Sequence, residues 1–251
     1  MRVDCGQAEL VWRLRLAPGP SGHVFLDPDG IAALAQAVAA AAACGARALV
    51  LESAGPEFCA GMDLEGALAL DEAAARAALA SYAACLEQLT RAPLATIAVV
   101  DAPASGGGVG LAAACDLVVA SPRATFALPE LRFGLVPAVI LPALRSRLRL
   151  QQIKRLALTG EAIGAGQGEA WGLVDVVAED PAAAALGLVR AILRARPQAL
   201  AALKRWTDGA DVDGPARTAS DLADPELRGA LVALLVEGVA PPWFARLRGQ
   251  V

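Results

Sequence analysis

The 251-residue chain has one histidine, His23, and two lysines, Lys154 and Lys204. A single histidine removes Ser–His and Cys–His nucleophile pairs unless His23 is itself the base, so acid–base work falls to carboxylates. Formal charge is −4 with a pI near 5.1, a balance that argues against nucleic acid as a general partner. The basic residues between Arg145 and Arg155 are a local exception, read as a solvated helix face or a contact for an acidic partner. Five cysteines (Cys5, Cys44, Cys59, Cys85, Cys115) are odd in number and scattered, with no CxxC and no Cys/His cluster. Neither structural zinc nor a disulfide framework is expected, and no metal site is read. Although 56% of residues are hydrophobic and mean hydropathy is +0.49, no apolar run reaches the roughly 20 residues of a spanning helix. The longest candidate, Ile31–Ala43, is alanine-rich and broken by Gln36. No signal peptide is visible, and a soluble, cytoplasmic protein is expected.

What is present centres on Ala104-Ser105-Gly106-Gly107-Gly108-Val109-Gly110, between the apolar runs Leu94–Val100 and Leu111–Ala114. Strand, glycine turn and short helix is the plain reading. Consecutive glycines permit positive φ and close approach to main-chain N–H groups. Three readings stay open here. The turn can serve packing alone. Gly108-x-Gly110-x-x-Ala113 matches a loose dinucleotide fingerprint, but the next strand runs into Ser121-Pro122 where an acid is wanted, and about a hundred residues precede the loop. No Gly-Lys-Ser/Thr follows, which excludes a P-loop. The third reading is an oxyanion hole, which needs a second donor and a nearby acid or base.

Along the chain, Leu10–Leu16 alternates as a half-buried strand, and Asp27-Pro28 opens a helix over Ile31–Ala43 that Gly45 ends. Ala46–Glu52 reads as a buried strand, Glu72–Arg91 as a long amphipathic helix, Leu94–Val100 as the central strand and Asp116–Ala120 as another. Further helices are expected to end near Leu148 and to span Gln151–Leu158, Glu161–Trp171, Ala182–Ala195 and Pro197–Asp208, with a last strand over Leu173–Val177. Ser220 to Gly238 also reads as helix. The fold class is therefore α/β with a C-terminal helical region, divided as 1–190 and 191–251.

Two further stretches carry candidate chemistry. In Phe58-Cys59-Ala60-Gly61-Met62-Asp63-Leu64, Gly61 permits a turn and Asp63 caps a following helix or assists in chemistry. In Phe126-Ala127-Leu128-Pro129-Glu130, the glutamate stands in apolar surroundings that raise a carboxylate pKa, as suits a group that takes and returns a proton. A surface glutamate after proline is the bland alternative.

These stretches, with Cys115-Asp116-Leu117, Gly134-Leu135-x-Pro137 and Ala170-Trp171-Gly172-Leu173-Val174-Asp175, resemble the enoyl-CoA hydratase/isomerase (crotonase) superfamily in order and spacing over nearly the whole chain. The resemblance implies a spiral of ββα units, a C-terminal helical trimerisation region, trimers or hexamers, and an acyl thioester on a phosphopantetheine arm with no other cofactor. It implies that backbone N–H groups of Met62 and Gly107 form the oxyanion hole, with Glu130 as catalytic carboxylate and Asp63 as an auxiliary. Cys59, Ala60, Gly61, Gly106, Gly108, Gly110, Pro129 and Phe133 would line the substrate site. Relatives touch the nucleotide end of CoA near His23 and the Pro18–Gly22 loop.

Hydratases of the family carry two glutamates, and here the first position is Gly110, which leaves Glu130 alone. The segment Pro129–Leu144, with Val236-Glu237-Gly238 and Pro242-Trp243, most resembles polyketide β-branching dehydratases acting on a 3-hydroxy-3-methylglutaryl acyl carrier protein. A 3,2-enoyl-CoA isomerase and a non-catalytic binding protein of this fold are the other implied readings; acidity and few lysines count against RNA as the latter's partner.

Overall fold

A computed structural model of the chain describes residues 1–8, 10–63, 66 and 70–208. The chain divides into two units, Met1–Leu200 and Ala201–Val251. All that follows concerns the first. Of the second, residues 201–208 are described, and they are the end of a helix over Pro197–Asp208. The expected helix from Ser220 to Gly238 and the expected trimerisation region beyond residue 208 lie outside the described residues.

The main sheet has six strands, ordered in space β1 (Arg2–Ala8), β2 (Val11–Ala17), β4 (Ala48–Ser53), β6 (Ala95–Val100), β8 (Leu117–Ala120) and β11 (Val176–Val177). The first pair is antiparallel and every later pair parallel. The order follows the sequence without a reversal, so the sheet has no switch point of the kind at which dinucleotides bind. That disposes of the dinucleotide reading of the glycine loop.

Parallel strands need covering on both faces, which explains their unbroken apolar runs. Leu49, Leu51, Ala98 and Val100 face the larger core, whereas Ala48, Val50, Ile97 and Val99 face a smaller one closed by Ala185 and Val189 of the helix Pro181–Ile192. Against the larger core pack α1 (Pro28–Ala43) and α2 (Glu72–Arg91). Asp27 caps α1 with Pro28 as its first residue, and Asp71 caps α2 by accepting from Ala74 N at 2.8 Å.

Two small sheets hold the loops at one another: β3 (Phe25–Leu26) with β5 (Gly61–Met62), and β7 (Ala104–Ser105), β9 (Thr125–Ala127) and β10 (Ile163–Gly164) in the order β10-β9-β7. Four differences from the sequence reading matter. The polar edge strand β1 shows no apolar period and escapes a pattern reading. The stretch Glu161–Trp171 is not helical throughout: Ile163–Gly164 pairs with β9, and the helix covers Ala165–Trp171 alone. The last strand is confined to Val176–Val177. The helix expected to end near Leu148 is a 3₁₀ turn, Ala138–Ile140, followed by a helix over Leu141–Arg145 that ends earlier.

Candidate active site

Three turns meet at the glycine loop. Its triplet opens α3 (Gly107–Ala113), with Gly106 as the residue before the first turn. Cys59 bridges Ala104, and Ser105 N donates to Cys59 O at 2.9 Å, which lashes the 59–62 turn to the loop. Gly106 N donates to Ala127 O at 2.9 Å, which lashes the loop to the strand leading into Glu130. The backbone of each turn is thus satisfied by the next, as a buried crossing requires.

The glycines are required by close approach. Gly61 has φ +89°, and a Cβ there would lie 2.9 Å from Ser105 O and 3.3 Å from Gly107 N. The Gly61–Met62 peptide and the Gly106–Gly107 peptide are therefore neighbours, and Met62 sits half-buried on β5 opposite Leu26. Gly106 has φ +53°, and a Cβ there would meet Glu130 Oε1 at 3.0 Å, so the carboxylate lies directly over the glycine turn. At Gly108 a Cβ would fall 2.9 Å from both the carbonyl carbon and Cβ of Cys59, and nearer still to the carbonyl oxygen. Close approach of Ser105, Cys59 and Glu130 thus demands glycine in these turns, as the packing reading of the loop requires.

Glu130 starts a 3₁₀ turn, Glu130–Phe133, that follows Pro129 and ends at Gly134 in the left-handed region. Burial pushes its carboxyl up, and its own backbone N–H offsets part of the rise. Its Oε2 is buried and accepts no hydrogen bond. An unpaired buried carboxylate oxygen is costly for stability and calls for an explanation. Glu130 is therefore not the surface glutamate of the bland reading.

At Gly110, the position where the resemblance implies a second glutamate in hydratases, the space is taken. A Cβ would lie 2.5 Å from Ile140 Cβ, closer still to Ile140 Cγ2, and 3.4 Å from the Tyr82 hydroxyl. Tyr82, on α2, is buried and donates its hydroxyl proton to Gly107 O. Burial, followed by the neighbouring Cys59, Cys85, Glu130 and Cys115, holds its phenol well above the usual range, so it remains a neutral donor. The sequence reading missed both Ile140 and Tyr82. Tyr82 was findable in principle, since the chain's one tyrosine falls on the apolar stripe 78-82-85-86-89 of α2.

The other expected residues are placed as follows. Asp63 Oδ1 accepts from Gly66 N at 3.0 Å; its carboxylate is turned to Gly66, and this bond gives the auxiliary catalytic reading no support. Cys59 is fully buried with its thiol pushed up to about 12, chiefly by burial, which makes it an inert part of the wall. Ala60 N donates to Val24 O at 2.9 Å, and Pro129 is half-buried beside Glu130. Phe133 is 61% exposed, among exposed Leu131, Leu135 and Val136. His23 is exposed and approaches Glu57 Oε2 at 3.2 Å.

The basic strip needs correction as a single face. Arg147 is largely buried, pairs with Asp175 at 2.9 Å, and donates to the carbonyls of Ala113, Cys115 and Asp116 at the end of α3. Arg155 stacks over Trp171, 5.5 Å from the ring centre. Among the described residues no group of three or more His, Cys, Asp or Glu could hold a metal ion, and no helix is long and apolar enough to cross a membrane.

Comparison with known proteins gives the family. The family model described as enoyl-CoA hydratase/isomerase matches residues 26–220. The chain is 37% identical over 134 residues to the enoyl-CoA isomerase/hydratase fer4 of Mycosarcoma maydis, covering 53% of this chain and 49% of that protein. It is 36% identical over 88 residues to the bacillaene synthase dehydratase PksH of Bacillus subtilis, covering 35% and 34%. The match spans between about half and two thirds of the length of the first curated relatives. Among solved structures, an enoyl-CoA hydratase of Mycobacterium smegmatis superposes with a TM-score of 0.83 at 26% identity, covering 96% of this chain and 98% of that one. An α/β fold of crotonase type and a family model that matches most of the chain together establish that the chain belongs to the enoyl-CoA hydratase/isomerase family.

Proposed function

We propose that this protein dehydrates a 3-hydroxyacyl thioester through an enolate held by the backbone N–H groups of Met62 and Gly107, with Glu130 as its one catalytic carboxylate. The observation that carries the reading is Glu130 itself: a buried, unpaired carboxylate oxygen over the glycine turn, with the other carboxylate position filled by Ile140. Glu130 takes the α-proton, the C–H electron pair moves to the carbonyl oxygen, and the two amides stabilise the developing charge. Loss of one such donor elsewhere costs about 3 kcal/mol. The enolate then collapses to the α,β double bond as the β-hydroxyl leaves with the proton that Glu130 returns, and water is released. The burial that raises the Glu130 pKa makes it a better base and keeps the conjugate acid available for the second half. Asp63 is assigned no step, because its carboxylate is engaged by Gly66 N.

The substrate we assign is a 3-hydroxy-3-methylglutaryl group on an acyl carrier protein in polyketide biosynthesis, supported by likeness to the bacillaene synthase dehydratase over 35% of the chain. The thioester would arrive on phosphopantetheine of the carrier or of CoA, with no further cofactor. The enzyme is assigned to the cytoplasm as a homotrimer or hexamer, which light scattering tests directly. Incubation of the carrier-loaded substrate followed by mass spectrometry tests the reaction: loss of one water supports it, and an unchanged acyl group contradicts it. A 3,2-enoyl-CoA isomerase is the second reading, favoured by the same lone carboxylate and by likeness to an isomerase/hydratase. It would move a double bond without releasing water.

A further inference from the structure

We infer that Tyr82 is a positioning residue for the oxyanion site, whose phenol hydroxyl pins the glycine turn so that the Gly107 amide holds one direction. This rests on the reading of Gly107 as an oxyanion donor.

Three consecutive glycines give residues 106–108 more backbone freedom than any other stretch of the described chain. An oxyanion donor, by contrast, must be fixed before charge develops, since reorganising it during the reaction forfeits its benefit. The peptide that carries the Gly107 N–H is held on one side by its own helix, since Gly106 O accepts from Val109 N and Gly110 N, and the peptides flanking it need holding too. Gly106 is tied through its N–H to Ala127 O, on the carboxylate side. On the far side, the Tyr82 hydroxyl donates to Gly107 O, in the peptide that follows, and so restrains the Gly107 N–H through rotation about Gly107 itself. Its Cε1 and hydroxyl lie 3.4 and 3.5 Å from where a Gly107 Cβ would stand, and the hydroxyl lies 3.4 Å from the corresponding point at Gly110. Gly107 and Gly110 are three apart on α3 and share one face, and the ring packs on both at contact distance, while Leu26 Cδ1 at 2.7 Å and Ile140 Cβ at 2.5 Å are what bar a side chain there.

The choice of tyrosine is informative. The ring is 1% exposed, and phenylalanine would fill the same space without burying a hydroxyl that must find a partner. A position serving packing alone has no need of that oxygen. The phenol also stays protonated across the working pH range, so its bond to Gly107 O does not titrate away.

The test is Tyr82→Phe in the full chain, read three ways. Val109 N and Gly110 N both donate to Gly106 O, at 3.0 and 3.3 Å, and report on the turn without any substrate. Their hydrogen exchange is expected to accelerate about tenfold while exchange elsewhere, including α2, stays at the wild-type rate. On the carrier-loaded 3-hydroxyacyl thioester, kcat is expected to fall about tenfold to a hundredfold at unchanged KM, as for a donor slightly displaced. The acid limb of the pH profile should not move, because Glu130 remains the base. Unchanged exchange at Val109 and Gly110 overturns the inference, as does a displaced acid limb, which would show Tyr82 acting through Glu130. If the wild-type protein turns over no thioester, the proposed reaction fails while the exchange measurement still decides whether Tyr82 holds the turn.

Discussion

Glu130 carries two opposed demands. Burial without a partner for Oε2 disfavours its charged form, which the proposed proton abstraction needs. Its folded pKa lies above the unfolded value of about 4.3, so the native state binds a proton over a pH range where the unfolded chain has lost it. Stability contributed by the neutral form is present below the unfolded pKa and is lost as pH rises through the folded one. Glu130→Gln is therefore expected to melt at or above the wild-type temperature at pH 8, by on the order of 1 kcal/mol after screening of a half-exposed residue, and to show less gain at pH 4. Thermal melts at both pH values check this. Activity should run the other way, with kcat/KM falling as pH drops through the raised pKa, a limb measurable by steady-state kinetics.

Ile140 makes a second residue-scale claim. Gly110→Glu alone should fail to create a hydratase and should destabilise by about 1–3 kcal/mol, because its stem collides with Ile140. Adding Ile140→Ala should recover much of that loss. Chemical denaturation of the single and double variants measures it.

Among the elements, α3 matters most, for all seven of its residues are buried and its first turn forms the site. Arg147 holds its other end through three carbonyls and Asp175, which also accepts from Val118 N at 2.6 Å. Arg147→Met leaves these acceptors underserved and is expected to cost about 3 kcal/mol, read as a lowered denaturation midpoint. No feature of the sequence separates Arg147 from Arg145 and Arg149, which is why the strip read as one solvated face. Periodic elements were legible: Glu72–Arg91 and Pro197–Asp208 form helices over the bounds their patterns predict. The two- and three-residue strands β5, β7 and β9 were not, since so short a segment shows no period, yet these bring the three turns together.

For the whole molecule, alternation of strand and helix indicated an α/β fold, and the dense glycine and proline punctuation located the loops. The meeting of the loops was legible only through resemblance, because it depends on register between small sheets far apart in sequence. Likewise, Glu130 could be singled out from its apolar neighbourhood, but its lack of a partner and the plug at Gly110 are tertiary facts. Glu130 belongs to neither core layer, so Glu130→Gln should alter chemistry without unfolding the chain, whereas a side chain in the glycine turn meets the larger core and should destabilise it.

The most direct test follows exchange of the substrate's α-hydrogen with D₂O, by mass spectrometry, for wild type and Glu130→Gln saturated with the same 3-hydroxyacyl thioester. The account predicts deuterium uptake and water loss in the wild type, and neither in the variant at undiminished binding. Uptake by Glu130→Gln at the wild-type rate would contradict it.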